Sequence, residues 1–281
     1  MAIRFLTDST ADILPEEAAR RDIDVVPLNV LFGETAYRDG IDLDHSSFFR
    51  MLAEAEQLPT TSQPAPEDFV PYFEQARTQG DTLICLLLAS GLSGTYQSAC
   101  IAKDMGGYDN VYVVDSTQTV LGLRMLVDLG CLLREEGLPA EDIVARLERA
   151  RERVRLLAIV DTLEYLHKGG RLPTTVAIVG GLLKVKPVIT LRDNALAVLG
   201  KGVGVKGSLS TVLKLAEGFS DRDARLPVYY GFTAENSLSS QLMAAMEERF
   251  GPHPSEVHSV GSVIGAHVGP GAAVVVYLEQ E

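Results

Sequence analysis

Two serines, two glycines and a threonine fall together in Ser90-Gly91-Leu92-Ser93-Gly94-Thr95, between an apolar run at 83–88 and a helical pattern at 96–103. Glycines in a strand-to-helix turn let the backbone come close to a ligand. The helix start beyond offers unpaired N–H groups and a partial positive charge, which favours the anionic end of a molecule. The same residues invite a serine-hydrolase reading, with Ser93 as nucleophile and His267 as base. A nucleophile elbow wants Gly-x-Ser-x-Gly. Here Thr95 stands where the last glycine belongs, and no acidic partner for His267 stands out in the chain. A hydrogen-bonding serine is therefore favoured over an attacking one. A purely structural turn is the third reading.

Other candidate residues are scattered. Thr60-Thr61-Ser62-Gln63-Pro64 is a hydroxyl cluster before a proline, equally suited to binding and to capping a turn. His267 sits in Ile264 to Gly271, read here as a glycine-rich turn between strands. An imidazole there can donate to a carboxylate or phosphate as readily as it can cap backbone. Of the other four histidines, His45, His167, His253 and His258, none has metal-ligand spacing, His253 and His258 bracket Pro254 in a loop, and most read as surface residues. Thr162 to Leu172 reads as a short helix ended by Gly169-Gly170, from which Arg171 projects a fork suited to carboxylate or phosphate. Gly202 to Gly207 matches Gly-x-Gly-x-x-Gly, but it sits late in the chain and lacks the acidic residue a dinucleotide site needs. An apolar, glycine-bearing segment at 176–183 is a candidate for lining a greasy pocket or for ordinary core.

These residues need a frame, and the pattern supplies one. Strand-like runs at 3–6, 25–31, 83–88 and 111–114 alternate with helical patterns at 15–21, 46–55, 66–79, 96–103 and 121–136. That succession implies a largely parallel sheet covered on both faces, with ligands at the carboxyl ends of its strands. Asp8-Ser9, Asp115-Ser116 and the Ser93 turn all belong to that edge. From about residue 150 the pattern changes. A charged helix is read at 140–155 and a hairpin turn at Arg192-Asp193-Asn194, followed by further strands and helices. The fold class expected is α/β with two domains, a mainly parallel α/β domain at 1–150 and an α+β domain at 151–281.

Composition narrows the partners. The 281 residues carry a formal net charge of −13 and are 46% hydrophobic. A sizeable core is expected, and broad nucleic-acid binding is disfavoured because it needs a basic footprint. Residues 151–206 run against the trend, with ten Lys/Arg against four Asp/Glu. That local +6 suits an anionic ligand, an acidic partner or a solvated face. Three widely spaced cysteines, Cys85, Cys100 and Cys131, read as reduced thiols. With no signal-peptide pattern at the start and no apolar run long enough for a span, a cytoplasmic protein without stable membrane insertion is expected. No metal site is expected.

Taken in order, the motifs resemble the DegV family. The stretches that carry the resemblance are Thr7 to Asp12, Thr61 to Pro64, Ser90 to Ala99, Val114-Asp115-Ser116, Thr162 to Arg171, Lys186-Pro187 and Ile264 to Gly271. Each is weak alone; the ordered set is specific. The family consists of bacterial fatty-acid-binding proteins, the binding subunits of a fatty-acid kinase system. The resemblance implies one long-chain fatty acid enclosed between two domains, no cofactor, and no enzymatic activity of the chain alone. A separate kinase subunit would phosphorylate the carboxylate from ATP, and the acyl-phosphate would be carried toward phospholipid synthesis. It also implies that Thr61, Ser93 and His267, with Gly94, hold the carboxylate. Arg171 resembles an exposed arginine near the kinase contact, and Lys201 or Lys206 is a further candidate. Two departures from the family pattern are Ala89, where a second hydroxyl is common, and the Arg192-Asp193-Asn194 turn, where glycine is common.

Overall fold

The computed structural model describes residues 2–172 and 185–281. Three sheets form among them. Strands β1 (Ile3–Asp8), β2 (Ile23–Val26), β6 (Thr82–Leu87) and β7 (Val111–Asp115) make a parallel sheet in the order β2-β1-β6-β7. Strands β3 (Asn29–Phe32), β4 (Thr35–Arg38) and β5 (Thr60–Ser62) make a small antiparallel sheet in the order β4-β3-β5. The third sheet takes β8 (Val154–Ile159), β9 (Val185–Arg192), β10 (Ala195–Val203), β11 (Val228–Phe232), β12 (Ser255–Ser259) and β13 (Ala273–Leu278) in the order β10-β9-β8-β13-β11-β12. It is antiparallel except where β11 meets β12. The helices are α1 (Pro15–Arg21), α2 (His45–Glu54), α3 (Pro66–Gln79), α4 (Thr95–Gly106), α5 (Val120–Glu135), α6 (Ala140–Ala150), α7 (Glu164–Lys168), α8 (Gly204–Leu215), α9 (Ser237–Phe250) and α10 (Ser262–Val268).

The layers follow from which faces are apolar. Phe69, Phe73, Ala99 and Ala102 of α3 and α4 cover one face of the parallel sheet against Leu6, Cys85 and Leu87. Helix α5 covers the other face and also packs on the large mixed sheet, so Phe5, Ile84, Leu126, Leu156 and Val276 share one core. A helix held between two sheets must be apolar nearly all round, and α5 is buried on every side from Val120 to Cys131. Its polar residues Arg124 and Asp128 are matched by Glu17, Arg21 and Tyr229. Helices α8 and α9 close the far face of the mixed sheet against Leu157, Ile159, Val275 and Tyr277. The expected parallel α/β half and α+β half are both present.

Four expectations need correction. The run at 25–31 is two strands, β2 and β3, in different sheets, because Pro27 cannot donate to a ladder and turns the chain. The helix expected at 140–155 stops at Ala150. A short 3-10 turn follows, and Val154 already enters β8. Residues 264–271 are not a turn throughout, since α10 runs to Val268 and only Gly269 and Gly271 take positive φ. His253 is not a surface residue; it is buried and bonded to the Tyr230 hydroxyl at 2.9 Å. The apolar segment at 176–183 lies outside the described residues.

Candidate functional site

A cavity of about 360 Å³ opens where the carboxyl edge of the parallel sheet meets the mixed sheet. That is within the size range of small-molecule pockets. Strand alternation decides what faces it. Leu156 and Ala158 of β8, with Val160 just beyond, line the cavity, whereas Leu157 and Ile159 point into the core under α8 and α9. On β13 Val274 faces the cavity and Val275 the opposite core. Ile189 and Leu196 of the β9–β10 hairpin continue the apolar wall. Helix α10 adds Val263, Ile264, His267 and Val268, which form two i,i+4 pairs on one helix face.

Polar residues enter the lining from both halves, Thr61, Gln63, Ser93 and Thr119 from the first and Arg171, Thr233 and His267 from the second. Thr61 is the middle residue of β5 and pairs with Val30 of β3. Its Oγ1 lies 2.8 Å from Nε2 of His267, at the far end of α10. Ser93 precedes the start of α4, and its hydroxyl lies 2.9 Å from that of Thr95. Thr61, Ser93 and His267 all line the cavity, and Thr61 and His267 are in contact although 206 positions apart.

Two carboxylates hold the turn that carries Ser93. Asp8 at the end of β1 accepts the Leu88 N–H at 2.7 Å, on one side of β6. Asp115 at the end of β7 accepts the Ser90 N–H at 3.1 Å, on the other side. Burial pushes the Asp8 carboxyl up to about 6. The hairpin of the mixed sheet reaches the same turn. Asp193 and Asn194 both take positive φ, the backbone of a two-residue hairpin turn. The Asn194 amide donates to Ser90 Oγ at 2.7 Å, and its oxygen accepts the Gly91 N–H at 3.2 Å. A Cβ on Gly91 would sit 1.8 Å from the Asn194 carbonyl oxygen, so only glycine fits there.

His267 is neutral in this setting. Burial, and then the charge of Arg171, bring its pKa down from 6.5 to about 4. Its Nδ1 is buried and meets no hydrogen-bond partner among the described residues. It abuts Gly169, where a Cβ would stand 2.3 Å from Nδ1. A catalytic base needs an orienting group on that nitrogen. The Ser93 hydroxyl is paired with Thr95 and His267 with Thr61, so the geometry is that of a hydrogen-bonding clamp.

Gly94 and Arg171 behave differently from the expectation. Gly94 does not line the cavity but stands aside for Gln63. A Cβ there would lie 2.1 Å from the Gln63 amide oxygen, and Gln63 lines the cavity while donating to Ser98 at 2.9 Å. Arg171 is half-buried rather than exposed. It lines the cavity, with Nε donating to the Leu92 carbonyl at 3.2 Å and Nη1 to that of Gly169 at 2.7 Å. It thus ties the Ser93 turn to the corner behind His267. The signal for Gln63 in the sequence is its place two residues from Thr61, the period that puts both side chains on one side of an extended segment. Lys201 and Lys206 are exposed near the end of β10 and in α8. No group of His, Cys, Asp and Glu among the described residues has metal-binding geometry.

Comparison with known proteins agrees with the architecture over the whole chain. A family model described as "Uncharacterised protein, DegV family" matches residues 2–280. A DegV domain-containing protein of Caldanaerobacter subterraneus is 34% identical over 278 residues, covering 99% of each chain. A solved structure from Thermus thermophilus, described as showing fatty-acid binding of a DegV family protein, superposes with a TM-score of 0.92 at 32% identity, with all of both chains covered. The structure of DegV from Bacillus subtilis, described as a fatty-acid-binding protein, superposes with a TM-score of 0.86 at 31% identity, again over all of both chains. With its two-domain α/β fold and a match spanning nearly every residue, the chain belongs to the DegV family.

Proposed function

We propose that this protein binds one long-chain fatty acid, with the carboxylate at Ser93, Thr61 and His267 and the tail along Leu156, Ala158, Val160 and Val274. The observation that carries this reading is a cavity lined mainly by aliphatic side chains, into which Thr61, Ser93 and His267 bring hydrogen-bonding groups. An aliphatic tail gains roughly 0.8 kcal/mol per buried CH₂ before the costs of association are taken off. The head needs partners, because an unpaired buried carboxylate is costly. Two hydroxyls and an imidazole supply them. A carboxylate beside His267 also favours the protonated ring, so binding and proton uptake go together. The fatty-acid-binding descriptions of the Thermus and Bacillus relatives support the same ligand class.

The chain acts in this reading as a carrier that presents the carboxylate to a separate ATP-dependent kinase subunit and then takes the acyl-phosphate toward phospholipid synthesis. Neutral hydroxyls suit a head that must accept a phosphoryl group, since a bidentate arginine would hold both oxygens. The sequence has no Walker A loop, so ATP would be handled by the partner. Arg171 is the residue proposed to couple the site to that partner, through the Leu92 and Gly169 carbonyls it bridges.

Native mass spectrometry of the purified protein tests the binding reading. The expected result is an added mass of one long-chain fatty acid. A ligand-free protein that also refuses added palmitate and oleate overturns it. For the kinase step, Arg171→Ala should retain the lipid and lose acyl-phosphate formation with the kinase subunit and ATP. Loss of the lipid itself would place Arg171 in the binding site alone.

A further inference from the structure

Helix α10 carries four cavity-lining residues, including His267, whose Nε2 meets Thr61 and whose ring packs on Gly169, while Gly269 at its end packs against Tyr165. Its other end is held by the opposite half of the molecule. The Gly261 N–H donates to Asp12 Oδ1 at 2.9 Å, and the Ser262 N–H donates to Asp39 Oδ1 at 3.2 Å. Both bonds are buried, and they span 249 and 223 residues of chain. His45, at the start of α2, bonds Ser259 through Nδ1 at 2.8 Å and brings Nε2 within 3.0 Å of where a Gly261 Cβ would be. Gly261 is thus enclosed by Asp12 and His45. One turn on, a Cβ at Gly265 would lie 2.7 Å from Phe48 of α2, so the helix is pressed against α2 as well.

Asp12 is built for this contact. It takes φ +53, a conformation that aspartate tolerates better than most residues, and its own carbonyl accepts from Arg124 at 3.2 Å. Burial and the neighbouring Asp39 push its carboxyl well above the usual range. Burial raises Asp39 too. Burying two carboxyl groups costs stability, and the chain keeps them where they can reach two N–H groups that start α10.

We infer that Asp12 and Asp39 are positioning residues for the carboxylate clamp: from the parallel-sheet half they fix the first turn of α10, and the rigid helix then sets His267 against Thr61. The inference rests on the reading of His267 as a ligand-holding residue, but its primary test does not need a ligand. Helix α10 is one rigid piece of seven residues, so a shift at Ser262 is passed to His267 rather than absorbed.

The test is the titration of His267, followed by NMR of its ring in lipid-free protein. Arg171, Thr61 and Gly169 surround the ring; Asp8, Arg124 and His45 face the two aspartates, and Asp44 stands beside His45. Wild type should titrate near 4. Asp12→Gly removes the acceptor without straining a positive φ, and Asp39→Ala removes the second. With both in place, His267 should titrate close to the ordinary value of 6.5, because the ring leaves its buried seat. Asp12→Asn and Asp39→Asn keep an acceptor oxygen and should restore the wild-type titration, which a merely bulky or structural role does not predict. If the double deletion does not fold, Asp39→Ala against Asp39→Asn gives the same contrast. An unchanged His267 titration in the folded deletion variants overturns the inference, as does an equal shift in the Asn variants. Fatty-acid release should be about tenfold faster in the deletion variants. A shifted titration with unchanged release upholds the positioning role and instead overturns the clamp.

Discussion

The cavity has two unlike walls. The wall from the parallel-sheet half is assembled from single residues on different elements: Thr61 on β5, Gln63 just after it and Ser93 before α4. Each is held by a specific bond, Thr61 to His267, Gln63 to Ser98 and Ser93 to Thr95, and the turn before Ser93 is pinned by Asp8, Asp115 and Asn194. The wall from the mixed-sheet half is one continuous surface in which Leu156, Ala158, Val160 and Val274 follow from strand alternation alone. The first wall fixes direction and register of a ligand; the second supplies area. Affinity then belongs mainly to the aliphatic wall, and orientation to the polar one.

The largest effect should come from filling the aliphatic wall. Ala158→Phe places a ring in the cavity, and native mass spectrometry should show the protein without its fatty acid while its circular dichroism is retained. Full lipid occupancy in that variant would break the contrast, because the tail would then lie elsewhere. On the polar wall the effect is smaller. Ser93→Ala and Thr61→Ala each delete one hydrogen bond to a charged head, worth about 1.5–3 kcal/mol, so release to acceptor vesicles should be faster by about 10- to 100-fold with occupancy retained at high lipid. Identical release rates in wild type and both variants would remove the hydroxyls from the clamp.

The imidazole sharpens the comparison through pH. In lipid-free protein the folded state holds His267 neutral down to about 4, whereas the unfolded chain protonates it near 6.5. The unfolded state therefore binds more protons across that window, and stability falls as pH drops from about 6.5 to about 4. His267→Gln should flatten that part of the stability profile in urea titrations. A profile unchanged by the substitution would show a ring already titrating normally. The smallest effect concerns the hairpin that joins the two walls. Asn194→Ala loses the bonds to Ser90 and Gly91 and should lower stability by about 1 kcal/mol without changing which lipid is bound. A change of bound lipid would assign the hairpin to selection rather than to closure.

The same division explains what was readable in the sequence. The apolar strands, the parallel succession and the change of pattern near residue 150 were legible because burial imposes period two or near-continuous apolar runs. Thr61, Ser93 and His267 came through the family resemblance; spacing alone left each of them undecided. Gln63 was signalled only by its two-residue spacing from Thr61, and the inward placement of Arg171 was not legible, since it depends on which loop comes to face which. The anchoring of α10 was hidden for the same reason. Asp12 and Asp39 find their partners only when the chain returns more than 200 residues later with Gly261 and Ser262. The segment at 25–31 shows the reverse failure, where a run of apolar residues looked continuous and one proline divided it between two sheets.

The most direct measurement is a crystal structure of the protein loaded with palmitate. The account predicts a carboxylate oxygen within about 3 Å of Ser93 Oγ and of Thr61 Oγ1 or His267 Nε2, with the chain running along Leu156, Ala158 and Val274. A carboxylate resting at the aliphatic end, or a lipid bound outside this cavity, would contradict it.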